Sequence, residues 1–280
     1  MAIDMLVSDV DGTLLAPDKT ISRRTMDAVA AVRSRGIRFT VISGRPPRGM
    51  KWLIESLALT GPVAALNGAL ILWPNMSILQ ATTLEADVAA AAAEIIIQYG
   101  LELWVYTVTD WLVTDRQSPR VRHEVSVVGH EPELLRPGGA MPMGITKVLG
   151  VSDDHPLVER CEAALIAKIG GRVSASRSQP HYLDVTARRA DKGRGLLELI
   201  ALAGGSPSAT AVIGDGPNDI PMFQRAGMSI AMGNGSRLVQ WAATFTTAAN
   251  TQDGFALAVD RYILTASRPA GQANAKGMKG

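Results

Sequence analysis

The 280-residue chain is poor in cysteine and in aromatic residues, with one Cys and 5% Phe, Trp and Tyr. A single cysteine, Cys161, excludes an internal disulfide and any zinc site built on clustered cysteines. Nothing around it suggests a nucleophile, so Cys161 reads as a small apolar residue on a helix. Charge of one sign is also scarce: 28 Lys and Arg against 26 Asp and Glu leave +2. That balance gives no electrostatic ground for a nucleic acid or an anionic membrane as partner. No uncharged apolar run reaches the roughly 18 residues that a membrane span requires. The opening MAIDMLVSD has neither the basic stretch nor the long apolar stretch of a secretory signal. These absences lead to the expectation of a cytoplasmic protein without nucleic-acid or membrane partners. The sequence carries no mark of oligomeric state.

What is present is a core-forming composition, 47% hydrophobic and 19% charged, incompatible with a disordered chain. Short apolar runs alternate with helix-like segments over the first eighty residues. MLVSD reads as a strand, and 22–35 reads as a helix with Ser22 as N-cap, Ala28, Val29 and Val32 on one face and Gly36 as stop. IRFTVISGR reads as a second strand, KWLIESLAL as a short helix, and VAALNGALIL as a third strand broken at Asn67 and Gly68. Strands separated by helices predict an α/β fold with a Rossmann-like parallel sheet. The texture changes near Thr83. LEADVAAAAAEIIIQYG is an alanine-rich helix, and LELWVYTVTDWLVTD alternates as antiparallel strands with one wet face. An inserted α+β domain is therefore expected at 84–187, between the two parts, 1–83 and 188–266, of the first domain. The small, polar, basic tail 267–280 is expected to be disordered.

Three polar loops follow apolar strands: DVDGT at 9–13, SGR at 43–45 and GDGPND at 214–219. Each alone is an ordinary turn or strand exit. A parallel sheet, however, brings neighbouring strand ends together, and ligands bind at that edge. Asp9, Asp11, Asp215 and Asp219 would then crowd one site and repel one another unless a cation is present. Oxygen-only donors favour a hard ion, of which Mg²⁺ is the expected one.

These loops, with Lys192 in DKG, resemble the four motifs of the haloacid dehalogenase superfamily of aspartate-dependent phosphohydrolases. LNGA at 66–69, AMGNGS at 231–236 and TTAANTQDGFALAV at 246–259 are similar to its Cof-type branch, which inserts a large α/β cap between the second and third motifs. The resemblance implies a phosphatase acting on a small-molecule phosphate ester, with a sugar phosphate as the expected class. It implies Asp9 as nucleophile, forming an aspartyl-phosphate, and Asp11 as general acid and base. It implies Mg²⁺ held by the Asp9 carboxylate, the Asp11 backbone carbonyl and Asp215, with Asp219 supporting the metal directly or through water. Ser43, Gly44 and Arg45 would meet the phosphate or substrate, and Lys192 with Asn218 would neutralise the transferring group. Alternation along a strand puts Asp9 and Asp11 on one face, and Gly12 lets the chain turn beneath the phosphate. A phosphosugar mutase of the same superfamily and a non-catalytic phosphometabolite-binding protein stand as alternatives.

The cap is less legible. Arg116, Arg120, Arg122 and His123 form a basic cluster in a loop-like stretch, read first as a solvated face. Arg172, Arg177 and His181 are candidates to line the cleft. Asp184 falls where relatives carry an acidic residue against sugar hydroxyls. Trp104, Tyr106 and Trp111 read first as core or sheet surface and second as a sugar platform.

Overall fold

The computed structural model describes residues 3–136 and 141–266; the tail expected at 267–280 lies outside the described residues. The first strand, Met5–Ser8, is buried along its whole length. It is an interior strand of a five-stranded sheet, paired in parallel with Thr210–Gly214 on one side and Arg38–Val41 on the other. Met228–Ala231 and Phe245–Thr246 extend the sheet, also in parallel. Both faces are covered over Met5–Ser8 and Thr210–Gly214, which is why these two inner strands are largely apolar rather than alternating. Leu6, Ala211 and Ile213 pack with Val29 and Val32 of the helix Arg23–Ser34 and with Phe255. Met5, Val7 and Val212 point to the opposite face, against Leu196 and Leu199 of the helix Lys192–Leu202 and against Met222 and Val239. The expected N-cap is in place: Ser22 Oγ accepts from Thr25 N at 3.1 Å.

The third apolar run is a hairpin rather than one broken strand. Val63–Ala65 and Leu70–Leu72 pair antiparallel. Leu66, Asn67 and Gly68 between them have φ of 49°, 56° and 89°, and three successive left-handed residues reverse the chain. The parallel sheet continues into this hairpin through a single bridge, Ile42 to Ala64. The turn lies directly on the helix Lys192–Leu202: a Cβ on Gly195 would stand 2.8 Å from the Gly68 Cα. We expect Gly195→Ala to push the Asn67 turn off the helix, costing about 1–3 kcal/mol. A lowered urea midpoint together with reduced turnover would verify this.

Residues beyond this hairpin build a second, six-stranded mixed sheet. Its order is Val173–Gln179, Tyr182–Ala187, Ile145–Val151, Glu102–Thr107, Trp111–Val113, Glu133–Leu134. The helices Ala86–Gln98 and His155–Ile169 cover one face, where Leu103, Val105, Val148 and Leu183 meet Ala92, Ile96, Val158 and Cys161. Cys161 is fully buried there, as its apolar reading requires.

The wet face expected of the strand Glu102–Thr107 is not observed. Trp104 and Tyr106 are 0% and 3% exposed, because that side of the sheet turns toward the parallel-sheet domain and packs with its core. The basic stretch at 116–123 is not wholly loop either. Ser118 caps a helix, Pro119–Val128, with Pro at its first position, a standard helix start. Among the described residues no helix is long and apolar enough to cross a membrane.

Candidate active site

Three strand exits meet at one edge of the parallel sheet. Asp9 follows Met5–Ser8, Asp215 follows Thr210–Gly214, and Ser43 lies two residues past Arg38–Val41. Because Ser8 is in register with both Ile213 and Val41, these exits fall level with one another. Asp9, Asp11, Ser43, Gly44, Arg45, Asp215 and Asn218 all line one cleft of about 350 Å³. Lys192 and Asp219, buried to 1% and 0% exposure, form its floor. The structure thus gathers all nine residues singled out from the motifs.

The floor is an ion-pair network. Lys192 opens its helix, whose N-terminus is capped by Asp191 Oδ1 accepting from Gly193 N at 2.8 Å and Arg194 N at 3.0 Å. Its Nζ donates to Asp9 Oδ1 and, at 2.6 Å, to Asp219 Oδ1. Asp219 Oδ2 accepts from the amides of Asp215 at 2.9 Å and Gly216 at 2.8 Å. Asp219 thus supports the loop and the lysine, and it also stands with Asp9 and Asp215 among the carboxylates able to reach one metal ion. Asp215 is held by Thr13 Oγ1 at 3.1 Å and Asn234 Nδ2 at 3.1 Å. Gly12 sits at φ +80° with Asp215 where a side chain would project, so only glycine lets the two loops close on each other.

Asp9, Asp215 and Asp219 each place a carboxylate oxygen within 4.8 Å of the others. Three carboxylates against one ammonium leave surplus negative charge. Burial, together with the neighbouring Asp219 and Asp215, holds the Asp9 carboxyl well above its usual range despite Lys192. Burial and Asp219 push Asp215 up to about 6. Clustered hard oxygen donors with an unmet need for positive charge fit a divalent cation.

Asp11 stands apart from this cluster. Arg45 grips it from two sides, Nε to Oδ2 at 2.6 Å and Nη2 to Oδ1 at 2.8 Å, and Lys19 Nζ adds a contact of 2.8 Å to Oδ1. Burial opposes ionisation, but these cations lower the Asp11 pKa to about 2. Its carboxylate is therefore no member of the acidic cluster. Arg45, expected to meet the phosphate or substrate, lines the cleft but is 8% exposed and holds its guanidinium on Asp11. Ser43 Oγ accepts from Arg45 N at 3.1 Å, which leaves its hydroxyl hydrogen for an oxygen in the cleft. Asn218 Nδ2 donates to Asn67 Oδ1 at 3.1 Å. A Cβ on Gly44 would lie 3.3 Å from that same Asn67 oxygen.

The second sheet roofs the cleft. Tyr106, Arg120, His123, Glu124, Lys147, His181, Tyr182 and Asp184 line it. Of the basic residues singled out, Arg120, His123 and His181 reach the cleft, and Arg116 and Arg122 are exposed outside it. Arg172 pairs instead with Glu85 and Asp87, and Arg177 with Glu159 and Glu162. Trp104 and Trp111 pack edge-on at 5.3 Å, and Trp104 is interior. Sequence reasoning missed Lys147, Glu124 and Tyr182, and it gave no role to Thr13, Asn67 and Asn234, which lie within the motifs DVDGT, LNGA and AMGNGS. A signal existed for Lys147, a lone cation inside the apolar run ITKVLGV.

A family model described as haloacid dehalogenase-like hydrolase matches residues 6–259. A putative phosphatase of Haemophilus influenzae is 27% identical over 261 residues, covering 93% of this chain and 98% of that one. The 5-amino-6-(5-phospho-D-ribitylamino)uracil phosphatase YwtE of Bacillus subtilis is 25% identical over 279 residues, covering 91% and 96%. Among solved structures, a haloacid dehalogenase-like hydrolase from Bacteroides thetaiotaomicron superposes with a TM-score of 0.80 at 27% identity, covering 92% of this chain and 99% of that one.

Proposed function

Because this chain belongs to the haloacid dehalogenase-like hydrolase family, we propose that it is a Mg²⁺-dependent phosphatase of small phosphate monoesters, sugar phosphates among them, working through an aspartyl-phosphate on Asp9. The observation that carries this reading is the setting of Asp9. It follows the buried interior strand Met5–Ser8, lines the cleft, and has Lys192 on one oxygen. Phosphatase relatives that match end to end support the reaction class.

In the first step an Asp9 oxygen attacks phosphorus, the bond to the ester oxygen breaks, and Asp11 gives that oxygen a proton. In the second, Asp11 takes a proton from water, the water oxygen attacks phosphorus, and phosphate leaves with Asp9 restored. Ser43 and Asn218 are placed to hydrogen-bond phosphoryl oxygens, and Lys192 holds Asp9 oriented while offsetting charge. Asp9, Asp215 and the Asp11 backbone carbonyl would hold the magnesium, with Asp219 beneath them. When bound, the ion supplies positive charge to the transferring group and offsets the repulsion between Asp9 and Asp215. Arg45 holds Asp11 ionised, the form suited to taking a proton from water. Donation to the leaving group requires Arg45 to let go as substrate enters.

We expect EDTA to abolish hydrolysis of a chromogenic phosphate ester and Mg²⁺ to restore it; undiminished release after thorough metal removal would refute the metal assignment. The same ion should raise the thermal midpoint more at pH 7.5 than at pH 5. In the metal-free protein the raised pKa of Asp215, about 6, favours the folded state while the group is protonated. That contribution is full below the ordinary carboxylate pKa of about 3.9 and is lost as pH rises through about 6. Above that range Mg²⁺ meets an ionised site and has the larger effect.

A further inference from the structure

The roof of the cleft is charged, yet the lysine and arginine side chains that line the cleft are already matched among the described residues. Lys147 lies in the middle of the strand Ile145–Val151, 2.9 Å from Asp184 Oδ1, and both side chains are under a tenth exposed. Its ammonium sits 4.6 Å from the Tyr106 ring centroid, a second favourable contact. The other Asp184 oxygen accepts from Ser178 Oγ. At the rim, Arg120 pairs with Asp153. Below, Arg45 and Lys19 converge on Asp11. Each of these four cations faces a carboxylate.

Glu124 is the exception among the charged groups of the roof. It projects from the helix Pro119–Val128 into the cleft. Among the described residues it makes no salt bridge, and its one hydrogen bond is donated by Tyr182 Oη to Oε2 at 3.3 Å. An ionised carboxylate has about four acceptor positions, so most of the capacity of Glu124 is open to whatever occupies the roof. Burial raises its pKa, and Lys147 works against that shift. His181 adds little positive charge to balance it, because burial and Arg120 lower its own pKa.

We propose that Glu124 determines specificity: the cleft takes phosphate monoesters whose alcohol portion is uncharged and donates hydrogen bonds through hydroxyl or N–H groups, and it turns away esters carrying a second anionic group. This rests on the phosphatase reading above. A second anion would face Glu124, and each Lys and Arg that lines the cleft already faces a carboxylate, which leaves only the imidazoles of His123 and His181. Freeing Lys147 would strand Asp184 in a buried position, where an unpaired charge is strongly unfavourable. A hydroxyl-rich alcohol meets an acceptor in need of donors, and sites of that kind discriminate strongly because mismatched polar groups stay unpaired.

Binding can be read apart from turnover by titration calorimetry on Asp9→Asn protein with Mg²⁺, using a hexitol monophosphate and a phosphoglycerate as probes. The hexitol ester should bind at least about tenfold more tightly. Adding Glu124→Gln should bring the ratio close to one, since the amide keeps the shape, removes the charge and halves the acceptor sites. Equal or tighter binding of phosphoglycerate, or a ratio that Glu124→Gln leaves in place, would overturn the proposal. So would a phosphoglycerate preference that disappears in Arg120→Ala, which would make Arg120 an anion receptor. Phosphate release by the wild-type protein tests the phosphatase reading separately: no release with the binding ratio intact defeats that reading alone.

Discussion

Asp9→Asn should lower turnover of any phosphate ester by more than about ten-thousandfold, the scale seen when a covalent nucleophile is removed. An amide of the same shape cannot attack phosphorus to give the mixed anhydride, so the loss falls on kcat. The fold should not suffer. Asp9 is buried beside Asp215 and Asp219, and these neighbours oppose its ionisation; removing its charge relieves repulsion, and Lys192 retains Asp219. We therefore expect a metal-free thermal midpoint at or above that of the wild type. Steady-state kinetics and calorimetric unfolding on one preparation decide the matter. Turnover within tenfold of wild type would refute Asp9 as nucleophile.

Lys192→Met should damage both activity and stability. The Lys192 ammonium is the only partner the structure gives to Asp9 Oδ1 and Asp219 Oδ1 among the described residues, and it is buried with them. Breaking such a network from one side leaves uncompensated buried charge and costs about 3–5 kcal/mol. The two carboxylates hold the lysine pKa above its ordinary value despite burial, so its stabilising contribution is fully present at neutral pH and persists until strongly alkaline pH. In acid the loss should shrink, because Asp9, whose pKa burial raises, takes up a proton and no longer needs a cation. Urea midpoints of both proteins at pH 7.5 and pH 5 measure this. A penalty unchanged between the two pH values would show that the deficit is one of packing. Turnover should fall by about a thousandfold or more, as the transferring group loses its fixed positive charge.

Much of this site was readable from the chain because strand exits in a parallel sheet are local features. The apolar runs before Asp9 and Asp215 and the Ser-Gly turn at Ser43 each announce a strand end, and the sheet converts separate exits into one edge. What could not be read is which partner a charged side chain takes. Arg45 follows Ser43 and Gly44 in the chain, yet its guanidinium turns back to Asp11. Asp219 carries the same carboxylate as Asp215, yet its oxygens are committed to Lys192 and two backbone amides. These choices depend on angstrom-scale packing between segments far apart in sequence. The expected wet face of the strand carrying Trp104 and Tyr106 failed for a related reason. Alternation reveals two faces, but not that the second one closes over another domain. The hairpin at Leu66–Gly68 hid behind a short apolar run, since positive φ at Leu66 has no sequence signature.

Cys161 bears on how the distance between the two sheets can be measured in solution. It is walled in between helix and sheet, and burial lifts its thiol to about 11, leaving little thiolate at neutral pH. The native chain is thus close to inert toward thiol-directed dyes. A pair of surface cysteines, one introduced into each domain, could carry fluorophores at chosen points without first stripping the protein of its own sulfhydryl.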